Sequence, residues 1–232
     1  MIGIPPNTFL GTGDQAATCR LCGQPGCDYW WDERLGFEFY HCPRCGYRFK
    51  SSNALPDPEE EQHHYRLHQN EFGSKGYVRM NRRIMQQAIL PFAPKPYGQA
   101  LDFGCGPGPV LATMLSQAGW KMALYDPFFV PEFPYDHYRY QLITMVEVAE
   151  HLFAPSSILA QLPKLLLPGG IMVIGTRSYP YRREAFAAWW YRIEPTHVGF
   201  FQYKTWHYLA RVLGLRILYH DFHSLTVLYK DA

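Results

Sequence analysis

The chain has 232 residues, of which 47% are hydrophobic and 18% charged, with a formal net charge of +2. This length suits one full-sized domain plus a small module, and the apolar fraction is enough for a real core. No apolar run reaches the ~20 residues a membrane span requires, residues 1–18 lack the basic start and apolar block of a secretory signal, and the near-neutral charge indicates no particular partner.

Residues 1–18 read as a flexible lead-in. Two C-x-x-C pairs follow, Cys19/Cys22 and Cys42/Cys45, separated by 19 residues. Each pair can reach one tetrahedral metal from a single turn, and Gly23 and Gly46 allow the sharp turn behind each. The spacing predicts a zinc ribbon over residues 19–50, with tetrahedral iron as the other choice of metal. Six cysteines without a secretory signal favour metal or thiol chemistry over disulfides, and a cytoplasmic protein. Asp28–Trp31 and Phe37–Tyr40 read as hairpin strands around Glu33–Gly36. About 30 residues cannot build a stable core alone, so the metal would supply folding energy. Cys27 reads as a bystander thiol.

Residues 51–75, with Pro56, Pro58 and three consecutive glutamates, read as a linker. The run His63-His64-Tyr65-Arg66-Leu67-His68 reads as a solvated helical face or a lid. From Tyr77 to Phe92, apolar residues recur at helical spacing, with Arg79, Arg82 and Arg83 on the other face. Pro91, Pro94 and Pro96 end this helix.

The segment Leu101-Asp102-Phe103-Gly104-Cys105-Gly106-Pro107-Gly108-Pro109 reads as a strand, a tight glycine turn and the start of a helix over 110–118. Such a turn lets the backbone press against a ligand near a helix N-terminus. A second apolar run, Met122–Tyr125, ends at Asp126, about 20 residues beyond the glycines, where a carboxylate can bind two ribose hydroxyls. The dinucleotide pattern G-x-G-x-x-G requires glycine where Pro109 stands, which disfavours a nicotinamide enzyme.

These residues resemble motif I of the class I S-adenosylmethionine-dependent methyltransferases. The resemblance implies an α/β, Rossmann-like sheet and a cofactor site built from Asp102, Gly104, Cys105, Gly106, Gly108, Asp126, Pro127, Phe128, Val146 and Glu147. Gly104, Gly106 and Gly108 would pass under the methionine end, Asp126 would hold the ribose, and Phe128 stands where it could stack on adenine. It covers roughly residues 76–230 and is closest to bacterial members carrying an N-terminal cysteine knuckle, similar in Y-D-P-F-F, E-V-x-E-H-L and P-T-H-V-x-F-F.

After Asp126 the chain departs from that pattern. Pro127 to Pro134 is too rich in proline for a helix, so the usual third strand and its helices should be lost or shortened. Tyr140–Val146 reads as the next strand and runs into Glu147-Val148-Ala149-Glu150-His151-Leu152. Ser156–Leu167 reads as a helix, Pro168-Gly169-Gly170 as a turn and Ile171–Thr176 as a strand. An aromatic helix over Ala185–Tyr191, with Trp189 and Trp190 packed down, precedes a loop carrying His197. A closing helix over 206–213 and strands over 215–219 and 225–229 complete the sheet. A domain of residues 76–232 is thereby expected.

Mechanism follows from the implied cofactor: in-line methyl transfer depends mainly on proximity and orientation. His197 and His151 are the candidate bases, since imidazole titrates near neutral pH. No N-P-P-Y or D-P-P-Y follows the strand ending at Val146, which disfavours amino methylation of nucleic-acid bases, and no Pro-Cys pair supports cysteine attack on a pyrimidine. A small-molecule acceptor is the leading reading. The alternatives are an RNA methyltransferase gripping its substrate through the ribbon, and a non-catalytic binding module. Residues 1–75 hold 7 Lys+Arg against 10 Asp+Glu, hence −3, whereas residues 76–232 hold 15 against 10, hence +5. A phosphate-gripping ribbon should be basic, so the charge disfavours RNA.

Overall fold

The computed structural model describes residues 17–57, 59–61, 64 and 73–232. Much of the expected lead-in and most of the histidine run, including His63 and His68, lie outside the described residues. Among the described residues, no helix is long and apolar enough to cross a membrane.

The sheet that carries the cavity has six strands. These are β4 (Gln99–Phe103), β5 (Lys121–Tyr125), β6 (Tyr140–Val146), β7 (Leu166–Gly175), β9 (Leu215–His220) and β10 (Leu225–Lys230), in the order β5-β4-β6-β7-β10-β9. The first four pair in parallel, and β10 is antiparallel to both neighbours. Strands buried on both faces read as continuous apolar runs, as Ile171–Ile174 of β7 does in the sequence. No strand lies between β5 and β6 among the described residues. The chain there makes an isolated Asp126–Val130 bridge and a 3₁₀ turn at Tyr135–His137, as the prolines dictate. The Pro-Gly-Gly read as a turn lies inside β7, where pairing with β6 shifts register.

Successive side chains alternate between two cores. Leu101, Ile143 and Met145 face α3 (Pro155–Leu165) and α5 (Tyr203–Leu213). Ala100, Leu142 and Val173 face α1 (Lys75–Ile84), its π-helical extension over Met85–Ile89, and α2 (Val110–Gln117). The first core runs on without a break into Cys19, Cys42, Cys45, Tyr47 and Phe49.

The cysteine module therefore shares its core with the larger sheet. Its strands β1 (Asp28–Asp32), β2 (Phe37–His41) and β3 (Arg48–Lys50) are joined by β8 (Gly199–Phe200), in the order β1-β2-β3-β8. The aromatic helix expected over 185–191 is a short α4 (Arg183–Ala187) followed by a 3₁₀ turn over Trp190–Ile193. This break swings Trp190 outward to 59% exposure, while Phe186 and Tyr191 fill the core in its place. The expectation that both tryptophans pack down therefore fails for Trp190.

The β3–β8 seam is sterically tight. A Cβ on Gly199 would overlap the Tyr47 hydroxyl, and Tyr47 is fully buried. Gly199→Ala should therefore cost about 1–3 kcal/mol, as overpacking does, and appear as a lower melting temperature. Unchanged melting would show that the seam can relax.

Candidate functional site

The glycine turn begins where β4 ends. The Gly104 and Cys105 amides donate to the Tyr125 carbonyl at 2.8 and 3.1 Å, which keeps the turn against β5. Gly104 has φ +79°, and a Cβ there would collide with the Val148 side chain. Gly106 has φ +63°, and the place of its missing Cβ is open space. The backbone at 106 is thus accessible to a ligand in a way that no other residue type allows without strain.

Asp126 fastens this turn to the next loop. Its Oδ2 accepts the Gly106 amide at 2.9 Å, and its Oδ1 accepts the Phe128 and Phe129 amides at 2.9 and 3.2 Å. The residue expected to hold a ribose is therefore, first, a clasp between two loops. Asp102 lies deeper, 5% exposed, and accepts the Thr144 hydroxyl at 2.6 Å. Burial pushes its carboxyl up to about 6, against the pull of that hydrogen bond.

A second group gathers at the end of β6. Glu147 adopts φ +53°, and its amide donates to Gly175 O at 2.7 Å. A non-glycine residue in this conformation is strained, and such strain concentrates at functional sites. Glu150 is fully buried in the 3₁₀ turn Ala149–His151 and receives a short hydrogen bond from the Tyr191 hydroxyl. Burial, reinforced by the neighbouring Glu150 charge, pushes Glu147 up to about 8, and burial pushes Glu150 up to about 7.

His151 Nδ1 lies 2.9 Å from Thr196 O, and His197 Nδ1 lies 2.8 Å from Tyr191 O. A carbonyl only accepts, so in both rings Nδ1 carries a proton. The rings meet edge to face at 4.7 Å, and the Val198 amide donates to Glu150 O at 2.8 Å. The loop bearing His197 is thus fixed directly to the turn bearing Glu150 and His151.

Both groups face one cavity of about 510 Å³ at the carboxyl ends of the parallel strands, where open α/β sheets bind ligands. Of the residues expected in the site, Gly104, Cys105, Gly106, Asp126, Pro127, Phe128, Val146, Glu147, His151 and His197 line it. Asp102 and Gly108 are not among the residues lining it. Sequence reasoning missed Tyr77 and Met80 of α1, and Leu152, Phe153 and Ile158 beyond the second group. The helical periodicity of 77–92 marks an amphipathic face, yet nothing local to it shows that part of the face meets a cavity.

The four knuckle cysteines converge elsewhere. Cys19 and Cys45 Sγ atoms lie 3.7 Å apart, Cys22 and Cys42 Sγ atoms 3.6 Å apart, and all four fall within 4.8 Å of one another. Cys27 is buried beside them with its thiol toward Gln24 O at 3.9 Å, outside this group.

Residues 77–220 match the family described as Methyltransferase domain, well over half of the chain. The protein therefore belongs to that methyltransferase family. No curated protein matches the chain. Among solved structures it is similar to the mitomycin 7-O-methyltransferase MmcR, at 11% identity and TM-score 0.55, over 75% of this chain and 58% of that one. It is also similar to phosphoethanolamine N-methyltransferase 2 of Haemonchus contortus in complex with S-adenosyl-L-methionine, at 12% identity and TM-score 0.50, over 70% and 55% of the two chains. An O-methyltransferase family protein from Burkholderia thailandensis matches at 12% identity and TM-score 0.50, over 67% and 57%. The chain thus spans little more than half the length of each, and at these identities the likeness is one of fold.

The clasp makes a stability prediction independent of any ligand. Asp126→Ala strips three amides of their charged acceptor and should destabilise the protein by about 2 kcal/mol or more. Chemical denaturation showing an unchanged midpoint would remove Asp126 from this role.

Proposed function

We propose that the protein transfers a methyl group from S-adenosylmethionine to a small-molecule acceptor. The observation that carries this reading is the single cavity joining a bare glycine turn to a Glu/His cluster. Its volume falls within the roughly 300–1,000 Å³ typical of cofactor and small-ligand sites. The backbone of Gly104–Pro107 and the loop clasped by Asp126 would hold the cofactor, with Phe128 against its planar end. When bound, the cofactor supplies a methyl group on a positively charged sulfur. Glu147, His151 and His197 then form the acceptor end, where orientation dominates the rate. His151 and His197 would be the candidate bases for an acceptor proton. Solved methyltransferases sharing the fold include two named for small acceptors, mitomycin and phosphoethanolamine. Isothermal titration should show S-adenosylmethionine binding that Gly106→Arg abolishes, because the new side chain would occupy the open space above residue 106. With methyl-labelled cofactor and cell extract, label should enter the small-molecule fraction in a protein-dependent way. Label entering RNA alone would contradict the acceptor class, and no binding would contradict the whole reading.

Residues 19–50 are proposed as a structural zinc module, with 51–75 as linker and lid. A regular tetrahedron with Zn–S bonds of about 2.3 Å has edges of about 3.8 Å, close to the two Sγ separations given above. Protein purified without added metal should contain one zinc per chain by elemental analysis. Cys42→Ser should lose that zinc and lower the melting temperature, because metal binding is folding energy in so small a module. Stoichiometric iron, or metal-free folded protein, would contradict the assignment.

A further inference from the structure

We propose that the face of the cysteine module packed against α4 carries a binding site for a small aromatic monoanion, a single ring bearing a carboxylate. The site is a second cavity, of about 100 Å³, lined by residues of β1, β2 and β3 and by Arg183 and Phe186 of α4. It shares no lining residue with the large cavity at the end of the parallel strands. The inference does not rest on the methyl-transfer reading.

Strand register builds the site. Asp28, His41 and Arg48 are partners across β1, β2 and β3 and form one row. Trp30, Phe39 and Lys50 form the next row on the same face, because side chains alternate along a strand. A polar row therefore lies beside an aromatic one. Trp30 and Phe39 stack at 5.4 Å, and Phe186 meets Phe39 edge-on at 5.4 Å and Trp30 at 6.1 Å. All three rings line the cavity. They suit a fourth ring, since offset and edge-on ring pairs are favourable beyond the area they bury.

The positive charge comes from two arginines. Arg48 is partly buried, with its guanidinium over the Tyr179 and Phe186 rings at 4.3 and 4.6 Å. Among the described residues no carboxylate forms an ion pair with it. It donates to Tyr181 O at 3.4 Å, and the Tyr179 hydroxyl also faces it. A guanidinium offers five N–H donors in a planar fork, so much of this fork is left for a ligand. Burial, and to a smaller extent the charge of Arg183, pulls Arg48 below the ordinary arginine value, against the opposing effect of Tyr179. Arg183 lies over the Trp30 ring at 5.4 Å. Asp28, the acid among the lining residues, is engaged by His41 at 3.6 Å. Two guanidinium groups against one carboxylate leave the wall net positive.

Volume sets the size of the ligand. A closed apolar cavity of about 150 Å³ takes up benzene, so this open one admits a single ring. A carboxylate on that ring would meet the arginine fork, where planar bidentate pairing is strong and specific. The ligand would bridge the hairpin to α4, the helix that leads into Tyr191 and His197.

The test uses the full-length protein and three probes: benzoate, its uncharged amide benzamide, and inorganic phosphate. Binding is read by calorimetry and by melting temperature. Benzoate should bind saturably and raise the melting temperature. Benzamide and phosphate should each bind about tenfold more weakly or worse, since one lacks the charge and the other the ring. Arg48→Gln should weaken benzoate by a similar factor, whereas Gly106→Arg, which alters the large cavity, should leave its affinity unchanged. Melting without ligand checks the fold of each variant. Should Arg48→Gln fail to fold, Arg183→Gln decides, since α4 lies outside the strand pairing. The site is overturned by the absence of saturable benzoate binding, or by equal binding of benzamide or phosphate. It is equally overturned by benzoate binding that Gly106→Arg removes and the arginine variants keep.

Discussion

The placement of the His197 loop at the cavity depends on one strand pairing, β3 against β8, and on the side chains that reinforce it. Lys50 at the end of β3 is almost fully buried, and its ammonium donates to Glu194 O at 2.6 Å and Pro195 O at 3.3 Å. Its amide donates to Val198 O at 3.1 Å, and Arg20 reaches the Lys50 and Val198 carbonyls at 2.5 and 3.4 Å. Burial pulls the Lys50 amine down to about 8, and this cost is tolerated because backbone carbonyls and the Glu194 charge offset it. Arg192 and Asp32 add a buried ion pair between the hairpin and the 3₁₀ turn Trp190–Ile193. The segment from 194 to 198, which presents His197, is thus secured by residues that lie about 150 positions earlier in the chain.

This arrangement gives the cysteine module a positional role. A small hairpin with little core of its own holds a loop that a Rossmann-like sheet would otherwise leave exposed. A histidine held through backbone carbonyls at 2.8–2.9 Å from fixed partners has little freedom, and placement at this level is what converts a nearby group into an effective one. Loss of the proposed zinc would therefore reach the cavity through β3 rather than through direct contact.

Much of this was legible in the sequence because the relevant signals are local. The glycine turn, Asp126, the knuckle spacing and the proline-rich gap after β5 each constrain the chain within a few residues, and the observed strands follow them. The E-x-x-E-H run and His197 were identifiable as chemistry, but not as neighbours, since their meeting depends on β8 completing the module's sheet. Two residues of the glycine motif stand back from the cavity wall: Asp102 faces Thr144 inside the sheet, and Gly108 lies beyond the cavity lining. A motif specifies which residues recur, and only packing determines which of them reach the ligand. The break between α4 and the turn at Trp190 was hidden for a similar reason. Helix propensity there is ordinary, and the aromatic core around Phe186 and Phe200 decides the outcome.

The most direct test of the account is a structure of the protein bound to S-adenosylhomocysteine. The account predicts the amino-acid end against Gly104–Pro107, the ring of the base near Phe128, and the sulfur directed toward Glu147, His151 and His197. A ligand lodged elsewhere, or a sulfur directed away from the histidines, would contradict it.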